Sequence, residues 1–164
     1  MRANRIGAGR PAQESGMTLV ELTAVIAVLG VLAATALPRM SAISGDARYA
    51  SLNSARAALS TVATMSHAKY LINGGTTQTL QDSTVSLVYG YPAANQATAD
   101  AAGLTANYVV HTQGTGPGAI SLVPKDLAGT DKALNCFLVY EQASAANPVP
   151  RIRVGGNATA RTCN

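Results

Sequence analysis

Tryptophan is absent from the 164 residues, phenylalanine occurs once, and aromatic residues total 4%. Any core must therefore be built from aliphatic side chains and alanine, and alanine alone supplies 31 residues. Charge is also scarce, at 12% Asp, Glu, Lys and Arg, where about a quarter is usual. With 48% hydrophobic residues, this composition excludes a disordered chain, which needs few apolar residues and a high net charge. The length suffices to bury a core. The formal charge is +4, but Arg2, Arg5, Arg10 and Glu14 precede Gly16, so the remainder carries nine basic and seven acidic residues, or +2. A near-neutral body without basic clusters is a poor nucleic-acid binder, and no specific nucleic acid is expected as a partner.

Chemistry-bearing patterns are equally sparse. The two histidines, His67 and His111, form no H-x-x-x-H, there is no C-x-x-C, and no acidic cluster has metal-ligand spacing. The glycines at 114, 116 and 118 lack the lysine and helix start of a phosphate loop and read as a turn. No serine sits in a G-x-S-x-G turn. The chain reads as a non-enzyme without cofactor or metal, and His67 as a surface or groove residue rather than a base. Asn157-Ala158-Thr159 fits the N-x-[ST] glycan-acceptor pattern.

What is present is concentrated at the N-terminus. Residues 17–37 read MTLVELTAVIAVLGVLAATAL, with Glu21 as the single charge. At about 1.5 Å per residue such a helix is about 30 Å long, enough to cross the hydrocarbon of a bilayer. Three arginines precede the run and few positive charges follow it directly. This asymmetry places the N-terminus in the cytoplasm and everything beyond Leu37 outside. A secretory signal has a shorter apolar region and a small-residue cleavage site; here the run is longer and no such site follows, so the segment is expected to be kept. Glu21 needs an explanation, because a carboxylate in hydrocarbon costs several kcal/mol unless it is paired or near the interface. Either it snorkels to the head groups, or it meets a dedicated cation. A cut before Met17 would create an α-amino group four residues from Glu21, able to pair with the carboxylate of a neighbouring copy.

Gly16-Met17-Thr18-Leu19-Val20-Glu21, followed by the apolar run and by Pro38, resembles the signature of type IV prepilins. That signature combines a short basic leader ending in Gly, a hydrophobic first residue, Thr-Leu-x-Glu and a long helix containing proline. The resemblance implies cleavage between Gly16 and Met17 by a prepilin peptidase that also N-methylates the new terminus, here Met17, where phenylalanine is commonest. It further implies a homopolymer built through the N-terminal helix, with Glu21 as the assembly charge pair. Pro38-Arg39, Ser44-Gly45-Asp46-Ala47-Arg48, Leu52-Asn53, Ala57-Ala58-Leu59 and Tyr89-Gly90-Tyr91-Pro92-Ala93-Ala94 are similar to pilins of the mannose-sensitive haemagglutinin type. So is the Cys136 strand with Tyr140 and Glu141.

Beyond the anchor, Leu52, Ala55, Leu59 and Val62 recur at spacings of 3, 4 and 3, an amphipathic helical period. The pattern fades at Asn73-Gly74-Gly75, so the helix is predicted from about Met17 to about Ile72. Pro38 lacks a backbone donor and crowds the carbonyl of Ala34, which predicts a kink. With Gly30 it bounds a stretch that, by the resemblance, melts when subunits pack into a fibre. Residues 84–89, 107–111, 119–123, 134–141 and 150–154 are short runs rich in Val, Leu, Ile and Tyr, separated by turn signals. Residues 92–103 are Ala-rich and suit a helical turn or two. The expected fold class is α+β: a long N-terminal helix, its first half membrane-spanning, packed on an antiparallel sheet of about four strands.

Cys136 and Cys163 lie on the outer side of that topology, where disulfides form and persist. A disulfide between them is expected, with free thiols or a metal pair as the alternatives; the resemblance agrees, since pilins staple their C-terminal segment this way. That segment carries Arg151, Arg153 and Arg161, either a basic contact patch or a solvated face. The organisation is then a leader at 1–16, a membrane and polymerisation helix at 17–38, its amphipathic continuation at 39–73, and a β-rich head at 74–164.

By the resemblance the chain is a structural type IV pilin, held in the bacterial inner membrane before assembly and in an extracellular pilus afterwards. The fibre would serve adhesion, motility or DNA uptake, and the partners would be other copies, the prepilin peptidase and the assembly machinery. The alternatives are a pseudopilin of a type II secretion system, a minor pilin, and an unrelated single-span membrane enzyme. The cysteine pair favours pilin over pseudopilin, because the major pseudopilins usually lock that region with calcium.

Overall fold

The computed structural model describes residues 18–80, 83–112 and 116–164, and of residues 37–42 the backbone. The chain divides into two compact units, Met1–Pro38 and Arg39–Asn164. Helix α1, Leu19–Asn73, supplies the described part of the first unit and the long helix of the second. It ends one residue beyond the predicted stop, at Gly74 and Gly75, whose φ angles of 66° and 89° are left-handed and suit glycine. The helical assignment continues through Gly30 and Pro38 without a break.

In the second unit the predicted helix face is the buried one. Leu52, Ala55, Leu59 and Val62 are at most 7% exposed. They meet two antiparallel sheets. The larger contains β4 (Tyr108–His111), β5 (Ala119–Pro124), β6 (Phe137–Glu141) and β7 (Arg151–Gly155), in that spatial order. Its register pairs Ile120 with Tyr140 and Leu122 with Leu138, which puts these four side chains on one face, against Leu52 and Leu59. The smaller sheet holds β1 (Thr77–Leu80), β2 (Ser83–Val88) and β3 (Tyr91–Pro92). Leu80 and Val85 join Val62 in a second apolar cluster.

The fold class is thus as expected, with differences in the strands. Of the five predicted strands, the one at 84–89 does not join the other four; it forms the separate three-stranded sheet with β1 and β3. The strand predicted over 134–141 begins only at Phe137. Residues Asp131–Leu134 instead form a 3-10 turn, and Cys136 lies just before the strand.

Local chemistry explains the joints. Strands β2 and β3 are connected by Tyr89 and Gly90, whose φ values of 52° and 78° are both positive, as a two-residue type I′ hairpin turn demands. Gly90 is doubly constrained, because a Cβ there would lie 2.6 Å from the Tyr70 ring. Helix α2, Gln96–Ala101, starts at Asn95, whose side chain accepts from the Thr98 amide at 3.1 Å while its amide donates to Ser86 Oγ.

The two sheets are tied by Tyr140. Its ring is fully buried and its hydroxyl donates to the Pro92 carbonyl at 2.6 Å. Burial pushes the phenol far above the usual tyrosine range, so it stays protonated and remains a donor. Tyr140→Phe keeps the packing but orphans a buried carbonyl, a cost of about 1–3 kcal/mol. The denaturant midpoint should fall with an unchanged m-value; an unchanged midpoint would show that the bond contributes nothing net.

Candidate functional site

In the first unit, residues Leu19–Ala36 have a mean hydropathy of 2.2 and none is buried. Large apolar side chains from Leu19 to Leu32 are 47–78% exposed. A surface of this size needs cover from lipid or protein. The polar groups along it are largely satisfied from within. The hydroxyls of Thr23 and Thr35 donate to the carbonyls of Val20 and Leu32, each at 2.9 Å. Thr18 caps the helix, its Oγ1 accepting from the Glu21 amide at 3.2 Å. Thr18 and Glu21 thus occupy the N-cap and third helical positions, the spacing of a capping box. The Glu21 carboxylate itself has no ion-pair partner among the described residues. Gly16 and Met17, the predicted cleavage pair, lie outside the described residues. At Gly30 a Cβ would meet nothing within 4 Å, so packing inside this chain does not require glycine there.

In the second unit the C-terminal segment is fastened at three places. Cys136 and Cys163 form the expected disulfide, and both are fully buried. The Arg48 guanidinium donates to the Cys163 carbonyl at 2.9 Å and pairs with the Asp126 carboxylate at 2.7 Å. At Gly45 the helix backbone touches the segment directly: a Cβ would come within 2.0 Å of the Ala160 carbonyl oxygen. The segment also closes on itself, through Thr159 N–H to Thr162 Oγ1 at 2.8 Å and Cys163 N–H to the Thr159 carbonyl at 3.0 Å.

Gly45 and Arg48 were not singled out for this role by sequence reasoning. The available signal was a glycine inside an otherwise regular helical pattern, which points to a close approach. Gly45→Ala should lower stability: the clash costs about 1–3 kcal/mol because backbone must move, against a gain of up to about 1 kcal/mol in helix propensity. A thermal midpoint raised by this variant would show that the segment yields freely.

Next to Arg48 lies a depression of about 370 Å³ lined by Ser51, Asn107, Tyr108, Lys125 and Asp126. Ser51 and Tyr108 share a hydrogen bond of 2.6 Å. Desolvation raises the Tyr108 phenol pKa; the bond to Ser51 opposes this and the Asp126 charge adds to it.

The remaining residues named from sequence have structural settings. His67 stacks on Tyr91 with ring centroids 4.1 Å apart and planes 2° off parallel. Its Nδ1 lies 3.1 Å from the Gly90 carbonyl, which can only accept, so Nδ1 carries the proton. His111 is exposed at the end of edge strand β4. All three C-terminal arginines are exposed, and Arg153 pairs with Glu141. Asn157 is exposed and its carbonyl accepts from Thr162 Oγ1 at 2.8 Å. Among the described residues no three His, Cys, Asp or Glu side chains gather as a metal site would need.

Two features therefore stand out: an uncovered apolar helix whose one carboxylate has no ion-pair partner among the described residues, and a C-terminal segment stapled to α1 and to Cys136 just before β6. No known protein family, curated protein or solved structure matches the chain.

Proposed function

We propose that the chain is a structural subunit of a type IV pilus, polymerising through its N-terminal helix into an extracellular fibre. The observation that carries this reading is the 18-residue apolar stretch that opens α1, unburied by its own chain, with one carboxylate in its first turn. Lipid covers such a surface before assembly, and other copies of the same helix cover it afterwards. The disulfide supports the reading, because it belongs to an oxidising compartment outside the cytoplasm. The partners are other copies of the chain, a prepilin peptidase, the assembly machinery and, before assembly, the inner membrane. The fibre would act in adhesion, motility or DNA uptake.

The test begins with the leader. Intact mass of subunits sheared from the cell surface should match a chain starting at Met17 with a methylated amine, 148 residues after loss of 16 from 164. A retained leader, or a cut elsewhere, would overturn the assignment. Correct processing without surface fibres at native expression would point to a pseudopilin instead.

A further inference from the structure

We propose that a second copy docks on the second unit by inserting the 3-10 turn Asp131–Leu134 into the groove between α1 and α2. This inference rests on the fibre reading and names where the heads meet. The groove has a volume of about 290 Å³ and is lined by Ala58, Val62, Met65, Leu80, Ala101 and Ala102. Met65 is 51% exposed within it. Lys69 also lines it, and Asp100, exposed on α2, adjoins Ala101. Neither charge has an ion-pair partner among the described residues; Lys69 reaches the Thr79 carbonyl instead.

The turn offers the knob. None of its four residues is buried, and Leu134 is 74% exposed. A 3-10 turn has three residues per turn, so positions three apart stand in line, which puts Asp131 and Leu134 on one side. Asp131 and Lys132 are exposed and likewise without ion-pair partners among the described residues. Leu134 fills the apolar floor, Asp131 meets Lys69 and Lys132 meets Asp100. The Asp131–Lys69 contact favours this orientation, because the reversed seating would set Lys132 toward Lys69.

The knob and the groove share no residue, so the contact is heterologous. Every copy that offers a turn to one neighbour leaves its own groove open for another, and such contacts propagate into open filaments when the rotation does not close. The geometry of the head thus supplies a polymerisation contact separate from the apolar helix.

The experiment uses the full chain expressed in membranes, with Met65→Cys and Leu134→Cys combined and each alone. Under mild oxidation the double variant should give a ladder of dimers, trimers and higher species, while either single variant stays monomeric. Asp131→Lys should lower the sheared-fibre yield about tenfold, through like-charge contact with Lys69, and Asp131→Lys with Lys69→Asp should restore it. No ladder, or full yield from Asp131→Lys, overturns the docking contact. Cross-linked species joining this chain to a different protein overturn it too, by assigning the groove to another partner. A chain left uncut at Gly16 overturns the pilin reading instead. The ladder is scored in membranes whether or not fibres form, so the two failures are separable.

Discussion

Cys136→Ser should destabilise the second unit by about 2–5 kcal/mol, the usual cost of losing a native disulfide from a small domain. The bond closes a loop with a sequence separation of 27, worth about 3.5 kcal/mol in the chain-entropy treatment. Both cysteines are fully buried, so the variant also leaves a hydroxyl and a thiol where one apolar bridge had packed, which adds to the cost. What remains to hold the segment is limited. Ile152, Val154 and Ala158 are only partly buried, and the Arg48 bond to the Cys163 carbonyl sits in a partly exposed setting. The thermal midpoint should fall by about 10 °C, and the region after Gly155 should become protease-sensitive before the rest unfolds. A non-reducing peptide map of the native chain should join Cys136 to Cys163. Alkylation of both thiols in unreduced native protein would remove the basis of this expectation.

The parts of the fold legible in the sequence were those whose pattern comes from one burial face. Leu52, Ala55, Leu59 and Val62 announce their helix because a single stripe meets the sheets. The runs at 107–111, 119–123 and 150–154 correspond to β4, β5 and β7 within one residue at each end. Strand β1 was illegible because its inward positions are Gln78 and Leu80, and a buried glutamine conceals the two-residue period. Gln78 is admitted because its side chain donates to the Gly74 carbonyl at 2.7 Å. The run beginning at Leu134 misled for the opposite reason: Leu134 is apolar yet exposed, and no period distinguishes a knob from a strand end. The division into two sheets follows from the Tyr89-Gly90 turn, which folds β2 back onto β3 and away from the larger sheet.

Of the site, the apolar run and the cysteine pair were legible and the fastening was not. The run is a local pattern and the two cysteines stand out by residue type alone. The seating of Gly45 against Ala160, and of Arg48 between Asp126 and Cys163, joins residues more than 70 positions apart. Such contacts leave no trace in periodicity or spacing. The same holds for the Tyr140 hydroxyl, whose acceptor at Pro92 lies 48 residues away.

Glu21→Ala and Glu21→Gln should both yield chains that are processed and inserted but assemble poorly. Two roles compete for this carboxylate. As the third residue of α1 it completes the Thr18-x-x-Glu21 spacing of a capping box, and its charge favours the helix N-terminus by about 0.3–1 kcal/mol. As a charge inside an apolar bundle it would neutralise the terminal amine of a neighbouring copy, and removing one member of a desolvated pair costs about 3–5 kcal/mol. Glutamine separates the two, because it serves a capping box as glutamate does but carries no charge. Thr18 still caps the backbone in both variants, so neither should lose the helix. If charge pairing governs assembly, sheared-fibre yield should collapse equally for alanine and glutamine, with normal mass of the membrane-held subunit. Recovery with glutamine alone would assign Glu21 to the cap. Full yield from both would place the carboxylate at the head-group boundary, where water rather than a neighbour satisfies it.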